Sequence, residues 1–386
     1  MLFYILTILL GFFLDLGKKG DPRKKVYRKL FVLWLFIFLC FGYMTGSDWR
    51  DYEFEFSNME SLSDSRWINE MGFSFIFLCL KKLIGDYWLV AGILKCLFLY
   101  TFLRFLRKVT PYWLSAVSLL ITGSLSFLLI DNPLRFMTAL ILVNVSMELC
   151  LNRKTGWAVA LIILSFFIHN ACIFFLILIP ALRHAGKIYS WNKGSIVIVF
   201  FVVLALSTSV QAIENLRLFM VALAIKLGGN SEHLANYAVS SNSSFFTLGN
   251  LMSIIMFFVI LFTRDVVVRR SENGRLIYGM AISFTILSKL FLIIPTGFRL
   301  AIPFGFFYMI YIVHLIRSGH LYSWIFIAYT SLSFPMSLWD SYKFIPYSNS
   351  IPYILTQHLD YSTRSEHNIE AYEKRTGRTY EGVYSE

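Results

Sequence analysis

The sequence predicts an all-α, polytopic integral membrane protein with about 11–12 hydrophobic helices, one of them a broken or re-entrant hairpin near residue 169. Three observations predict it. The 386 residues are 57% hydrophobic and 18% aromatic with only 15% charged, and the mean hydropathy is +0.63, outside the range of ordinary soluble domains. Apolar runs near the length of about 20 residues that crosses a bilayer recur along almost the whole chain. The formal charge of +12 is concentrated in short loops between those runs, as the positive-inside rule requires, so it reports topology and not a nucleic-acid partner.

Taken in order, residues 1–16 form the first apolar segment, and Lys18, Lys19, Arg23, Lys24, Lys25, Arg28 and Lys29 follow it instead of preceding it. That order reads as an anchor with its N-terminus outside, not a cleaved signal peptide. A second span over 30–45 returns to the outside, where the next loop is acidic: Asp48, Asp51, Glu53, Glu55, Glu60, Asp64 and Glu70 against Arg50 and Arg66. Residues 73–84, short and carrying Lys81 and Lys82, read as an interfacial or re-entrant helix. A true span follows over 87–106, with Arg104, Arg107 and Lys108 marking the inside. Residues 113–130 lead outward, Asp131, Asn132 and Pro133 make the turn, and 134–151 return to Arg153 and Lys154.

The apolar run 157–182 then decides the topology, because His169 interrupts it. As one straight span it would place Arg183, His184, Lys187 and Lys193 outside. Folded back at His169–Asn170, it leaves all later basic loops inside. The hairpin is the expected solution, with a first arm rising only some 18 Å at about 1.5 Å per residue against a core of about 30 Å. An ionisable residue at that depth faces a bundle interior or a wet cavity and marks a working site. Spans are expected at 195–210, 248–262, 276–294, 301–316 and 322–338, with Arg264, Arg269, Arg270, Arg275 and Arg317 inside. Residues 1–355 thus make one transmembrane domain, and 356–386 a polar tail outside.

Several side chains have chemistry to offer. Arg135 and Arg299 each open a helix on the outer side, where the backbone dipole already favours an anion such as a pyrophosphate; Lys289 and Lys95 are weaker cationic candidates. Either arginine alone can be a headgroup anchor, and convergence with His169 favours a site. Asp48 and Asp51, three apart, share a turn face. His314 and His320 fall at a cytoplasmic interface. Cys40, Cys79, Cys96, Cys150 and Cys172 sit in apolar runs without metal-ligand spacing, so no metal site or disulfide framework is expected, and with neither a P-loop nor a dinucleotide fingerprint in the chain no cofactor is expected.

These residues carry a resemblance. Gly46-Ser47-Asp48-Trp49-Arg50-Asp51-Tyr52, Asn69-Glu70-Met71-Gly72-Phe73, Pro133-Leu134-Arg135-Phe136-Met137-Thr138-Ala139, Phe167-Ile168-His169-Asn170-Ala171, Gly297-Phe298-Arg299 and Ile351-Pro352-Tyr353 resemble, in order and spacing, the Wzy-type polysaccharide polymerases, in particular the EpsG-like branch. Phe136 and Ala171 depart from the family pattern, where Gln and Ser or Thr are common.

The resemblance implies a metal-independent glycosyltransferase, related to the O-antigen ligases, in the bacterial inner membrane with its active site facing the periplasm. It would join undecaprenyl-pyrophosphate-linked oligosaccharide repeat units of an O-antigen, capsule or exopolysaccharide. Arg135 and Arg299, with Lys289, would hold the pyrophosphate, where guanidiniums can stabilise the leaving group. His169, or in second place Asp48, would take the acceptor proton. Trp49, Arg50, Asp51, Tyr52 and Glu70 would hold the glycan. The expected partners are the lipid-linked oligosaccharides, membrane lipids and a chain-length regulator.

A lipid-linked oligosaccharide flippase would share the substrate but show two related halves, and none is visible. An O-antigen ligase would differ in its acceptor. A transferase using a lipid monophosphate sugar would carry acidic residues after the first span, where this chain is basic.

Overall fold

A computed structural model describes residues 2–15, 22–45, 48–65, 67, 70–131, 133–209, 214, 218, 248–291, 297–319, 348–356, 366, 369–370 and 373. Its elements are helical; the β-type pairing among the described residues is an isolated bridge between Gly42 and Asn349. Five described helices are long and apolar enough to cross a membrane, or six if one bent pair counts as a span, and three further apolar helices are shorter. The chain is a multi-pass membrane protein of the all-α class. It divides into two compact units, one of residues 1–179 with 325–386 and the other of residues 180–324.

In the first unit, helices α1 (Leu2–Asp15), α2 (Pro22–Cys40), α3 (Trp49–Asn58), α4 (Met71–Ile84) and α5 (Tyr87–Val109) follow one another. The second helix begins eight residues before the apolar run expected at 30, because its basic residues join the first two turns. The Asp86 carboxylate caps α5 by accepting the Leu89 N–H at 2.7 Å, and Arg107 and Lys108 close its last turn, where cations favour the helix dipole. Residues 113–130, expected as one span, are instead two helices, α6 (Trp113–Ile121) and α7 (Ser124–Ile130), bent by 69°. The break falls at Thr122–Gly123, a dipeptide of low helix propensity.

Helix α8 (Leu134–Leu151) starts after Pro133 and runs parallel to α5, with Asn144 donating to Thr101 at 3.4 Å and Arg104 donating to Glu148 at 3.0 Å. Lys108 bonds to Asn152 in the same register. This end therefore collects Arg104, Lys108, Arg153 and Lys154, and the N-terminal turn of α8 lies at the opposite end.

Helix α9 (Thr155–Ile168) returns antiparallel to α8: Ser146 donates to the Ala158 carbonyl at 2.7 Å, and the Phe136 and His169 rings meet at 5.4 Å. At His169 the backbone becomes extended (φ −153°, ψ 115°), and a 3-10 stretch, Asn170–Ile177, leads into α10 (Leu178–Ile188). This second arm runs back along α8, from Phe136 facing Phe175 at 6.2 Å to Cys150 against the Ile179 carbonyl at 3.7 Å. The chain reverses at His169, as the charge pattern requires.

The late segment Ser350–Thr356, α15, returns to the first unit. Ser350 N–H donates to Phe41 O at 2.7 Å, and the Tyr353 ring stacks on Tyr43 at 5.2 Å.

The second unit holds most of α10 and helices α11 (Lys193–Thr208), α12 (Leu248–Arg270), α13 (Gly274–Phe291) and α14 (Phe298–Arg317). α13 and α14 are antiparallel, as the ring pairs Tyr278–Tyr311, Phe284–Tyr308 and Phe291–Phe304 show. α12 extends eight residues beyond its expected end at 262, since Arg264 and Asp265 turn to Tyr189 and stay within the helix. His314, expected at an interface, is buried at 2% exposure, because α14 turns this face to the core of its unit. The span expected at 322–338, the loop 211–246 but for two positions, His320 and nearly all of the tail lie outside the described residues.

Candidate functional site

Glu70, at the N-cap position of α4, is 6% exposed and reaches two other elements at once. Its Oε1 lies 2.6 Å from His169 Nδ1 and accepts the Asn170 N–H at 3.1 Å, while its Oε2 accepts from Arg135 NH1 at 2.6 Å. Three segments separated by 65 and 99 residues meet on one carboxylate.

Local chemistry brings them there. Arg135 lies in the first turn of α8, and His169 is held in place by the reversal, with its carbonyl accepting the Cys172 N–H at 2.9 Å. Glu70 arrives because Gly72, in the first turn of α4, lets that helix touch the end of α9. A Cβ at Gly72 would lie 2.7 Å from the Phe167 carbonyl oxygen, a distance no side-chain carbon tolerates.

Aromatic rings fix the guanidinium. Arg135 stands 4.9 Å over the Trp67 ring, a cation–π geometry, and its N–H and Nε point at the Tyr52 hydroxyl at 3.4 and 3.5 Å. Tyr52 packs on Trp67 at 5.3 Å and on Phe73 at 6.0 Å.

The electrostatics assign the proton. Burial pushes the Glu70 carboxyl up, but the His169 hydrogen bond, the charges of His169 and Arg135 and the Asn170 N–H together outweigh it and hold it below the usual range. An ionised carboxylate only accepts hydrogen bonds, so Nδ1 of His169 carries a proton and, in the neutral ring, Nε2 carries the lone pair. Burial raises the Tyr52 hydroxyl above its ordinary value, the Arg135 charge acting against it and the Asp48 charge with it. The Tyr52 proton therefore stays on at neutral pH.

The other expected residues of this unit lie around α3. Asp48 is its N-cap residue, half-buried, and Asp51 is exposed in its first turn. Trp49 is buried, packed on Trp88 at 5.5 Å, with the Arg50 guanidinium 4.8 Å over its ring. Trp88 in turn donates to Glu53 at 3.1 Å. Trp67, not named among the expected residues, lies against Arg135 and Tyr52, and an isolated tryptophan in a polar loop gives no periodic signal that would single it out.

Arg299 and Lys289 belong to the second unit. Arg299 lies in the first turn of α14, and Lys289, in the last turn of α13, donates to Asn250 Oδ1 at 2.8 Å. The antiparallel register of α13 and α14 puts both at the same end of that unit. Among the described residues, no three His, Cys, Asp or Glu side chains are grouped so as to hold a metal ion.

Neither a curated protein nor a solved structure matches the chain. The model of the EpsG family matches residues 25–353, a stretch that contains Glu70, Arg135, His169 and the returning Tyr353 segment. By that match the chain belongs to the EpsG family, which is associated with exopolysaccharide biosynthesis.

Proposed function

We propose that this protein polymerises polysaccharide, joining undecaprenyl-pyrophosphate-linked repeat units by glycosyl transfer at the periplasmic face of the bacterial inner membrane. The observation that carries the reading is the Glu70 carboxylate shared between an imidazole and a guanidinium. The cluster lies at the end of the first unit opposite Arg104, Lys108, Arg153 and Lys154, so the positive-inside rule favours an outward-facing site.

The reaction uses both arms of that carboxylate. The acceptor hydroxyl oxygen attacks the anomeric carbon of the donor, its proton passes to Nε2 of His169, and the bond from that carbon to the pyrophosphate oxygen breaks. The electron pair leaves on the phosphate, where the Arg135 guanidinium offsets the developing charge. Glu70 orients the imidazole and stabilises the imidazolium that forms, as a carboxylate does in a catalytic triad. Asp48 is the second candidate for the base, and sugars would be held along the Tyr52–Trp67 side of the site together with Trp49, Arg50 and Asp51. Arg299 and Lys289 are proposed pyrophosphate ligands.

The test is purified protein in detergent with lipid-linked repeat units and a chelator. The native chain should give a ladder of products. His169→Ala should slow ladder formation by about 10² to 10⁴-fold, the usual worth of general-base assistance, while lipid-linked units still bind. Arg135→Ala should abolish it, and Arg299→Ala separately tests the arginine of the second unit. A native chain that makes no ladder but carries lipid-linked glycan across vesicle membranes would overturn the proposal in favour of transport.

A further inference from the structure

At the end of the second unit away from Lys289 and Arg299, where α10 finishes and α13 begins, a cavity of about 490 Å³ opens. Arg183, Gly186, Lys187, Tyr189, Ser190 and Arg275 line it.

The walls are built by a close helix contact. A Cβ at Gly279 would lie 2.0 Å from the Ala185 carbonyl oxygen, so α10 and α13 meet backbone to backbone, and a Cβ at Gly186 would lie 3.7 Å from Arg275 Cβ. Arg183 and Lys187, four apart and hence on one face of α10, stand on one side of that contact, and Arg275, in the first turn of α13, stands on the other.

The charges in this cavity are not balanced. Asp265 accepts the Tyr189 hydroxyl at 2.5 Å, and Arg264 donates to the Tyr189 carbonyl at 3.2 Å and lies 5.0 Å over the Tyr189 ring. Arg275 packs on the same ring at 5.5 Å. Among the described residues no carboxylate, Glu272 included, pairs with Arg183, Lys187 or Arg275. The Ser190 hydroxyl already donates to the Lys187 carbonyl at 2.7 Å.

The candidate span Asn170–Ile188 ends in this cavity, and Arg264 and Asp265 of the candidate span Gly249–Arg270 reach Tyr189 in its wall, so the cavity lies at the end of a span, where basic residues meet lipid headgroups. Three cations without a carboxylate partner among the described residues, set around a concave space, match a phosphate-bearing anion in charge.

We infer that this cavity is a binding site for a phosphate group, carried by the headgroup of an anionic membrane lipid. It is separate from the Glu70 cluster and stands whether or not the polymerase reading does.

The test uses the full chain in an uncharged detergent, titrated with short-chain phosphatidylglycerol, with phosphatidylcholine of the same chain length, or with inorganic pyrophosphate. The readouts are melting temperature and lipid retained in native mass spectra. Phosphatidylglycerol should bind saturably and phosphatidylcholine should not. Arg183→Gln/Lys187→Gln/Arg275→Gln should weaken that binding roughly a hundredfold, given the usual contribution of each basic residue at an anionic surface.

Pyrophosphate competing equally well, and losing its effect in the same variant, would assign the pocket to a soluble phosphate. A response to either anion that survives in the variant overturns the site, as does equal retention of the two lipids by the native chain. Should the triple variant fail to fold, Lys187→Gln alone, expected to weaken phosphatidylglycerol several-fold, decides.

Discussion

Replacing Glu70 with glutamine keeps the shape of the side chain and removes half of its hydrogen-bond logic. The carboxylate accepts three donors: His169 Nδ1, Asn170 N–H and Arg135 NH1. An amide has one accepting oxygen. With that oxygen toward His169 and Asn170, its NH2 faces the guanidinium, donor against donor. Reversed, the NH2 faces the Asn170 N–H and forces Nδ1 to accept, so the proton moves to Nε2 and the proposed base is lost. Either orientation removes a charge-assisted hydrogen bond worth about 1.5–3 kcal/mol. The reversed one also abolishes general-base assistance, typically 10² to 10⁴-fold or about 2.7–5.5 kcal/mol at 1.36 kcal/mol per decade.

The expected outcome is a fall in kcat of that size for ladder formation, with KM for the lipid-linked units changed far less. A double-mutant cycle separates orientation from folding. If Glu70 acts through the imidazole, Glu70→Gln should cost little more once His169→Ala is present, since groups that act as one unit are strongly non-additive. A Glu70→Gln enzyme that polymerises at the native rate, or one whose loss adds in full to that of His169→Ala, refutes the reasoning.

Two further outcomes follow from the same geometry. Gly72→Ala should displace α4 from the Phe167 carbonyl and pull Glu70 from His169, lowering both melting temperature, by an overpacking cost of about 1–3 kcal/mol, and polymer yield; a fully active variant would show that the close approach is dispensable. Because the folded-state pKa of Glu70 is depressed, its stabilising contribution is present above the ordinary value near 4.3 and is lost as pH falls through the lower folded value. Thermal melts should therefore show the native chain more stable than Glu70→Gln at pH 7 and this advantage shrinking below about pH 4.

Much of the fold was legible because charge and hydropathy act locally. The reversal at His169 follows from where Arg183, Lys187 and Lys193 must lie, and in the second unit the end of α10 and the start of α13 line one basic cavity. Helix starts at Arg135 and Arg299 could be read from Pro133 and Gly297. Helix lengths were less legible. A hydropathy run stops at the first arginine, but the helix does not: α12 continues past Arg264 because that side chain finds the Tyr189 and Trp191 carbonyls. The fold of residues 113–130 into two helices turns on one weak dipeptide that a window average conceals.

The candidate site was legible as a set of residues and not as a set of pairs. Glu70 was expected among sugar contacts, since an acidic residue in an outer loop carries no mark of its partner. Its pairing with His169 and Arg135 is decided by the register between α4, α8 and α9, and that register depends on Gly72, a residue whose contribution is the absence of a side chain. Periodicity reports which face of a helix is apolar, but not how far along its neighbour that face slides. A slide of one helical turn, about 5.4 Å, would leave every hydropathy pattern satisfied and carry Glu70 out of reach of both partners. The site is therefore specified by backbone contacts of small residues and by buried charge pairing, which penalises the wrong register where apolar packing alone would tolerate it.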